Sequence, residues 1–228
     1  MTDQRRICAV VPVKELARAK QRLSSVLAPA TRQALAHAML EDVLSALSAT
    51  RELAGMLVIT ADPAAAAIAQ RFGAEVSENG ASESHTGAVR AAATLLASRN
   101  ISMLTLPGDV PLVTADDICQ LIAEHEKDSS FTIVPARDQQ GSNAVLCSPA
   151  DAVPLRFGDN SFFPHLSAAR AQGIEPRVVR LSGIELDIDT PEDLEEFYSL
   201  CSHGHARKIL DQVKFAMRSH AFIHRQFA

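Results

Sequence analysis

Residues 7–23 read ICAVVPVKELARAKQRL, and the first seven of them decide the fold class. Residues 7–13 form a short apolar run rich in valine and isoleucine, the pattern of a strand buried on both faces. Such a strand needs helices above and below it. A polar, basic stretch at 14–25 leads to an expected helix over 31–49. Its Leu35, Met39, Val43 and Leu47 recur at i+4 on one face.

Outward from this unit, strand-like and helix-like segments keep alternating. Strands are expected at 56–60, 74–76, 101–106, 131–134, 143–147, 177–181 and 184–188. Helices are expected over 63–72 with Asp62 as cap, over 88–99, from the cap Thr114 to 126, over 161–172, and from Thr190-Pro191 to about 201. This alternation implies an α/β domain whose mostly parallel sheet is covered on both faces, with ligands bound beyond the carboxyl ends of the strands. The domain is expected to occupy residues 1–202, followed by a basic, His-containing helical tail over 203–228.

Composition narrows the function classes. The 228 residues are 47% hydrophobic and 21% charged with a net charge of -5, which supports a core and argues against disorder. With no apolar run of eighteen residues and no secretory signal, no membrane partner is expected and a cytoplasmic address is. A pI of about 5.9, 4% aromatics and no Trp argue against a nucleic-acid partner. Cys8, Cys119, Cys147 and Cys201 form no Cys-x-x-Cys pair and read as buried, reduced thiols.

Three groups of residues could carry chemistry. Lys14, Lys20 and Arg22 follow the first strand, where a ligand should sit, and several cations on one segment suit a polyphosphate. A solvated basic loop would read the same way. No Walker or Gly-x-Gly-x-x-Gly motif occurs, which removes the usual kinase and dinucleotide readings. Asp109 follows a strand, and Asp187 and Asp189 alternate with Ile188, so an extended chain turns both carboxylates to one face. Hard oxygen donors of this kind suit Mg²⁺. Helix capping accounts for Thr190, Pro191 and Asp193 but not for Asp187, a charge in an apolar strand context.

The third group is Phe157-Gly158-Asp159-Asn160-Ser161, where Gly158 admits close backbone approach and Ser161 sits at an anion-favouring helix start. An ordinary turn and N-cap would also explain it, and Gly141-Ser142-Asn143 reads as a turn before a strand. His203 with His205, and His220 with His224, have metal-like spacing without a matching Cys or acidic partner, and read as solvated. No Gly-x-Ser-x-Gly elbow marks a hydrolase.

In their order, VVPVKELARAKQRL (10–23), PGDVPLVT (107–114), GSNAVL (141–146), PLRFGDNSFFPHL (154–166) and ELDIDTPEDL (185–194) resemble the 2-phospho-L-lactate guanylyltransferase family of coenzyme F-420 biosynthesis. The resemblance runs over residues 7–198. It implies a Rossmann-like α/β/α sandwich of the nucleotidyltransferase and glycosyltransferase-A type. It also implies Mg²⁺-dependent transfer of GMP from GTP to 2-phospholactate, phosphoenolpyruvate or 3-phosphoglycerate, with release of pyrophosphate. At matching positions Asp109, Asp187 and Asp189 would hold Mg²⁺, and Ser142, Gly158 and Ser161 would cradle the acid's phosphate and carboxylate. Lys14, Lys20 and Arg22 would take the GTP phosphates, forming the catalytic set with Asp109.

One departure stands out: Ser84-His85-Thr86 occupies the place where the family usually reads Gly-Leu-Asn. That loop lies on the nucleotide side in related folds. His85 and Thr86 are therefore expected to face the nucleotide, with His85 titrating near neutral pH and guanine preference weakened. Two alternatives stay open: a related nucleotidyl- or glycosyltransferase with another nucleotide or acceptor, and a non-catalytic nucleotide-binding module. A homodimer is compatible with the sequence.

Overall fold

The computed structural model describes residues 6–16, 19–126, 129–158 and 160–213. The chain runs β1 (Ile7–Pro12), a 3-10 helix (Gln21–Ser25), α1 (Pro29–Ala49), β2 (Leu53–Ile59), α2 (Pro63–Arg71), β3 (Glu75–Ser77), α3 (His85–Ala97), β4 (Ser102–Thr105) and α4 (Ala115–Ala123). It continues through β5 (Ser130–Pro135), β6 (Ser142–Ser148), α5 (Phe162–Ala171), β7 (Arg177–Val178), α6 (Ser182–Glu185) and α7 (Pro191–Leu200) to α8, residues 205–213. The seven strands form one sheet in the order β3-β2-β1-β4-β6-β5-β7. Only β6 is reversed: it pairs antiparallel with β4 and β5, and every other pair is parallel.

Burial of β1 on both faces follows from its sequence. Ile7, Ala9 and Val11 join a core cluster with Leu35, Met39, Val43 and Leu47 of α1, Leu121 of α4 and Phe197 of α7. The intervening Cys8 and Val10 join a second cluster with Val89 and Leu96 of α3 and Phe162 and Ala169 of α5. One strand thus feeds two cores, and the result is three layers, α/β/α.

Several expectations are corrected. Helix α3 begins at His85 rather than 88, because the Ser84 hydroxyl accepts from the Gly87 N–H and caps it. Residues 184–188 are not a strand. One turn of helix, α6, comes first, and residues 186–189 then run outside the sheet, anchored by the Ile188 N–H on the Asp109 carbonyl at 3.1 Å. Leu186 and Ile188 are nonetheless buried while Asp187 and Asp189 are half-exposed, so the alternation holds without a sheet partner. The expected strand at 177–181 shrinks to β7.

The division at 203 does not separate α8 from the domain. Its Ala206 and Leu210 are buried in the larger core, and Asp42 of α1 accepts from the N–H groups of His205 (2.7 Å) and Ala206 (2.8 Å). His220, His224 and the rest of the tail from 214 lie outside the described residues. Cys8, Cys147 and Cys201 are buried free thiols, but Cys119 is partly exposed beside Glu52. Among the described residues no helix is long and apolar enough to cross a membrane.

Asp62 couples the fold to its ligand-facing edge. One carboxylate oxygen caps α2 through Ala64 N–H (2.8 Å) and Ala65 N–H (3.3 Å), and the other takes the Leu16 N–H at 2.7 Å from the loop after β1. Asp62→Ala removes both, and unfolding in urea is expected to show a loss of about 1–2 kcal/mol.

Candidate active site

The loops after β1 and β4 and the start of the reversed β6 meet at one edge of the sheet. There they enclose a cavity of about 420 Å³. It is lined by Lys14, His85, Thr86, Asp109, Ser142, Gly158, Ser161, Asp187 and Asp189, all but two of the residues singled out above. Of those two, Lys20 reaches the group through its ion pairs. Arg22 lies at the rim of an adjoining cavity that shares Asp187, Asp189 and Gly158. β6 contributes its first residues here because it runs against its neighbours, so its amino end coincides with their carboxyl ends.

The electrostatic centre is Lys20. Its side chain is 6% exposed, and its Nζ lies 2.5 Å from Asp109 Oδ2 and 2.8 Å from Asp189 Oδ1. Its backbone adopts the left-handed conformation, φ 57°, uncommon for a residue with a Cβ. Burial alone would lower its pKa, but the two carboxylates outweigh that and hold it up. For Asp189, burial acts upward, yet Lys20 and then Arg22 hold its carboxyl below the usual range. Arg22 is the outer partner, 3.6 Å from Asp189 and largely in solvent.

Asp187 differs. Burial, reinforced by the charges of Asp109 and Asp189, pushes its carboxyl up, and its partner is an uncharged amide, Asn143 Nδ2 at 3.1 Å. The buried Asn143 also donates to the carbonyls of Ile184 (2.9 Å) and Glu185 (3.1 Å), fixing the segment that carries Asp187. Among the described residues no three His, Cys, Asp or Glu side chains already stand in a metal-coordinating arrangement. The donor types nevertheless suit a hard cation: three carboxylates line one cavity, and Asp187 faces an amide.

A second wall is built around Phe157, Gly158 and Ser161. Ser161 stands at the start of α5 but makes no capping hydrogen bond. Its hydroxyl goes instead to Ser142 Oγ at 3.2 Å, so capping does not account for it. Ser142 Oγ lies 2.9 Å from Nδ1 of His165, which is 1% exposed and packs edge-on against Phe157. Gly158, at φ 138°, and Asn160, at φ 57°, both take positive backbone angles here.

His85 and Thr86 line the cavity but are committed to this wall. The Thr86 hydroxyl donates to the Phe157 carbonyl (3.2 Å) and accepts from the Phe157 N–H (2.9 Å), and His85 packs on the Phe157 ring. Burial lowers the His85 pKa to about 4, against the expected near-neutral titration. Asn143 and His165 were missed as site residues. Nothing in the sequence distinguishes an Asn at a strand start or a His on an amphipathic helix from ordinary core and turn residues.

The fold is that of the nucleotide-diphospho-sugar transferases. The fold is shared with a Desulfovibrio desulfuricans protein described as a nucleotide-diphospho-sugar transferase (TM-score 0.76, 15% identity, 93% of this chain and 97% of that one). It is shared also with a 4-diphosphocytidyl-2C-methyl-D-erythritol synthase (TM-score 0.60, 16% identity, 84% of this chain and 97% of that one). Residues 7–225 match the family described as "Guanylyl transferase CofC like", and the chain belongs to that family of transferases. The 2-phospho-L-lactate guanylyltransferase of Methanothermobacter thermautotrophicus is 34% identical over 92% of each chain. The phosphoenolpyruvate guanylyltransferase of Roseiflexus castenholzii is 37% identical, over 94% of this chain and 98% of that one.

Two stability measurements test the charge balance. Asp187→Asn removes a carboxylate whose ionisation the fold opposes, and the amide can still face Asn143. Its thermal midpoint at pH 7 without added metal is expected to rise by about 1–3 °C. Burial lowers the pKa of His165 from 6.5 to about 4, so the unfolded chain binds a proton that the folded chain refuses between those values. The stability this contributes is complete above about pH 6.5 and is lost as the pH falls towards 4. Urea midpoints measured from pH 7 to 4 should fall more steeply for the wild type than for His165→Asn.

Proposed function

We propose that the chain transfers GMP from GTP to a small phosphorylated three-carbon acid, releasing pyrophosphate, as a step in coenzyme F-420 biosynthesis. One observation carries the reading: a single cavity is lined both by the carboxylates gathered on Lys20 and by the uncharged Ser142–Ser161 pair. The first arrangement suits a nucleoside triphosphate with its cation, and the second suits a small anion. Family membership and the acids named for the two relatives support it.

In this reading Ser142, Ser161 and the backbone at Gly158 hold the acid so that its phosphate oxygen faces the α-phosphorus of GTP. That oxygen forms the new P–O bond as the bond between the α-phosphorus and its bridging oxygen breaks, and the electron pair leaves on pyrophosphate. The attacking phosphate is already ionised at neutral pH, so no side chain need remove a proton. Asp109, Asp187 and Asp189 would hold Mg²⁺, which supplies charge neutralisation at the phosphates. Lys20, Lys14 and Arg22 would supply the positive charge for the triphosphate. Catalysis is then positioning and charge neutralisation.

Pyrophosphate release is to be measured with GTP, Mg²⁺ and each of 2-phospholactate, phosphoenolpyruvate and 3-phosphoglycerate. Release with at least one acid is expected. GTP binding without turnover of any acid, or consumption of a nucleotide-sugar instead, would overturn the proposal. Because the Thr86 hydroxyl is committed to Phe157, preference for GTP over ATP in competition is expected to stay below about a thousandfold.

A further inference from the structure

The polar atoms of His165, Ser142 and Ser161 can be counted proton by proton. The Arg156 backbone N–H points at His165 Nε2 at 3.0 Å, and a backbone amide can only donate. Nε2 must therefore carry its lone pair, and the ring proton of the neutral imidazole sits on Nδ1. That proton is donated to Ser142 Oγ, 2.9 Å away. The link between the two serine hydroxyls, 3.2 Å long, uses one of their two hydrogens. One hydroxyl hydrogen remains, on Ser142 or on Ser161, and both residues line the cavity.

The opposite tautomer would reverse the outcome. With the proton on Nε2, Ser142 would donate to Nδ1 and Ser161 to Ser142, leaving lone pairs but no hydrogen for a ligand. That arrangement would repel an anion, and it would set the Nε2–H against the Arg156 N–H. The ring's surroundings keep it neutral: it is 1% exposed, with Phe157 at 5.0 Å and Phe131 at 6.5 Å between ring centres. Burial holds its pKa near 4, so the count applies at physiological pH.

We infer that His165 is a positioning residue whose tautomer, fixed by the Arg156 amide, turns the Ser142–Ser161 pair into a hydrogen-bond donor for the anionic acid substrate. The inference rests on the proposed function for the identity of that substrate, and on geometry alone for the polarity of the serines. It adds a residue that stands behind the cavity lining, yet decides whether the acid site attracts or repels negative charge.

Two amide replacements separate this role from mere packing. The nitrogen of an Asn side chain stands near the place of Nδ1 and can still donate to Ser142. A Gln amide reaches the place of Nε2 and leaves Ser142 without its donor. His165→Gln is expected to raise KM for the phospho-acid about tenfold or more, with KM for GTP changed less than about threefold. His165→Asn should recover most of that loss. On a Ser142→Ala background, His165→Gln should add less than about twofold, since the histidine acts through that serine. The ring itself is read by nitrogen NMR of ¹⁵N-histidine-labelled wild type, with the resonance assigned by its loss in His165→Asn.

The Nδ1–H form is expected. The Nε2–H form overturns the inference, as does a His165→Gln loss equal for acid and GTP, one that His165→Asn does not recover, or one that adds in full to Ser142→Ala. If the wild type turns over none of the acids, the proposed function falls first, and the ring spectrum still decides the polarity of the serine pair.

Discussion

The ammonium of Lys20, shared by Asp109 and Asp189, joins partners 89 and 169 residues away along the chain. It pins the loop after β1, the loop after β4 and the segment after α6 to one point at the edge of the sheet. Without it, three carboxylates would meet in a partly buried cleft offset by Lys14 in the lining and by Arg22, mostly in solvent. A buried charge pair contributes little net stability of its own, because desolvation cancels much of the attraction. Breaking one, however, leaves uncompensated charge behind. What Lys20 confers is a definite geometry for carboxylates that would otherwise repel.

The two walls of the cleft solve different problems. The carboxylate wall gathers formal charge, and its order depends on ions. The serine wall carries no formal charge and depends on shape and proton direction, through Phe157, Gly158 and the buried imidazole. Thr86 joins helix α3 to the second wall, since it stands in the first turn of α3 while its hydroxyl grips Phe157. A chain that must hold two negatively charged substrates side by side benefits from this division, because stacking cations on both walls would bind them without aligning them.

Much of this was legible in the sequence because it depends on pattern. An apolar run at 7–13 needs cover on both faces, and a helix with Leu35, Met39, Val43 and Leu47 on one side supplies half of it. Asp187 stood out because a charge inside an apolar run demands a reason. The direction of β6 was not legible, because hydrophobic alternation reads the same both ways along a strand. That direction is what carries Ser142 and Asn143 to the site. Residues 184–188 misled for a related reason: alternation records which side chains are buried, and here burial is achieved outside the sheet. His165 was silent because its role lies in which nitrogen holds a proton, a property of its neighbours' geometry.

The seating of α8 on α1 carries a practical consequence for handling the protein. Asp42 accepts two backbone N–H groups from the first turn of α8, and Ala206 and Leu210 close the core beneath it. A chain shortened to residue 202 would leave that carboxylate facing a vacated apolar hollow. The carboxylate would also lose both of the backbone donors that hold it in place. Such a fragment would expose sticky surface on the far side of α1 from the second core, and aggregation during expression would be mistaken for a failure of the catalytic half to fold. Tags and fusion partners therefore do not belong between α7 and α8.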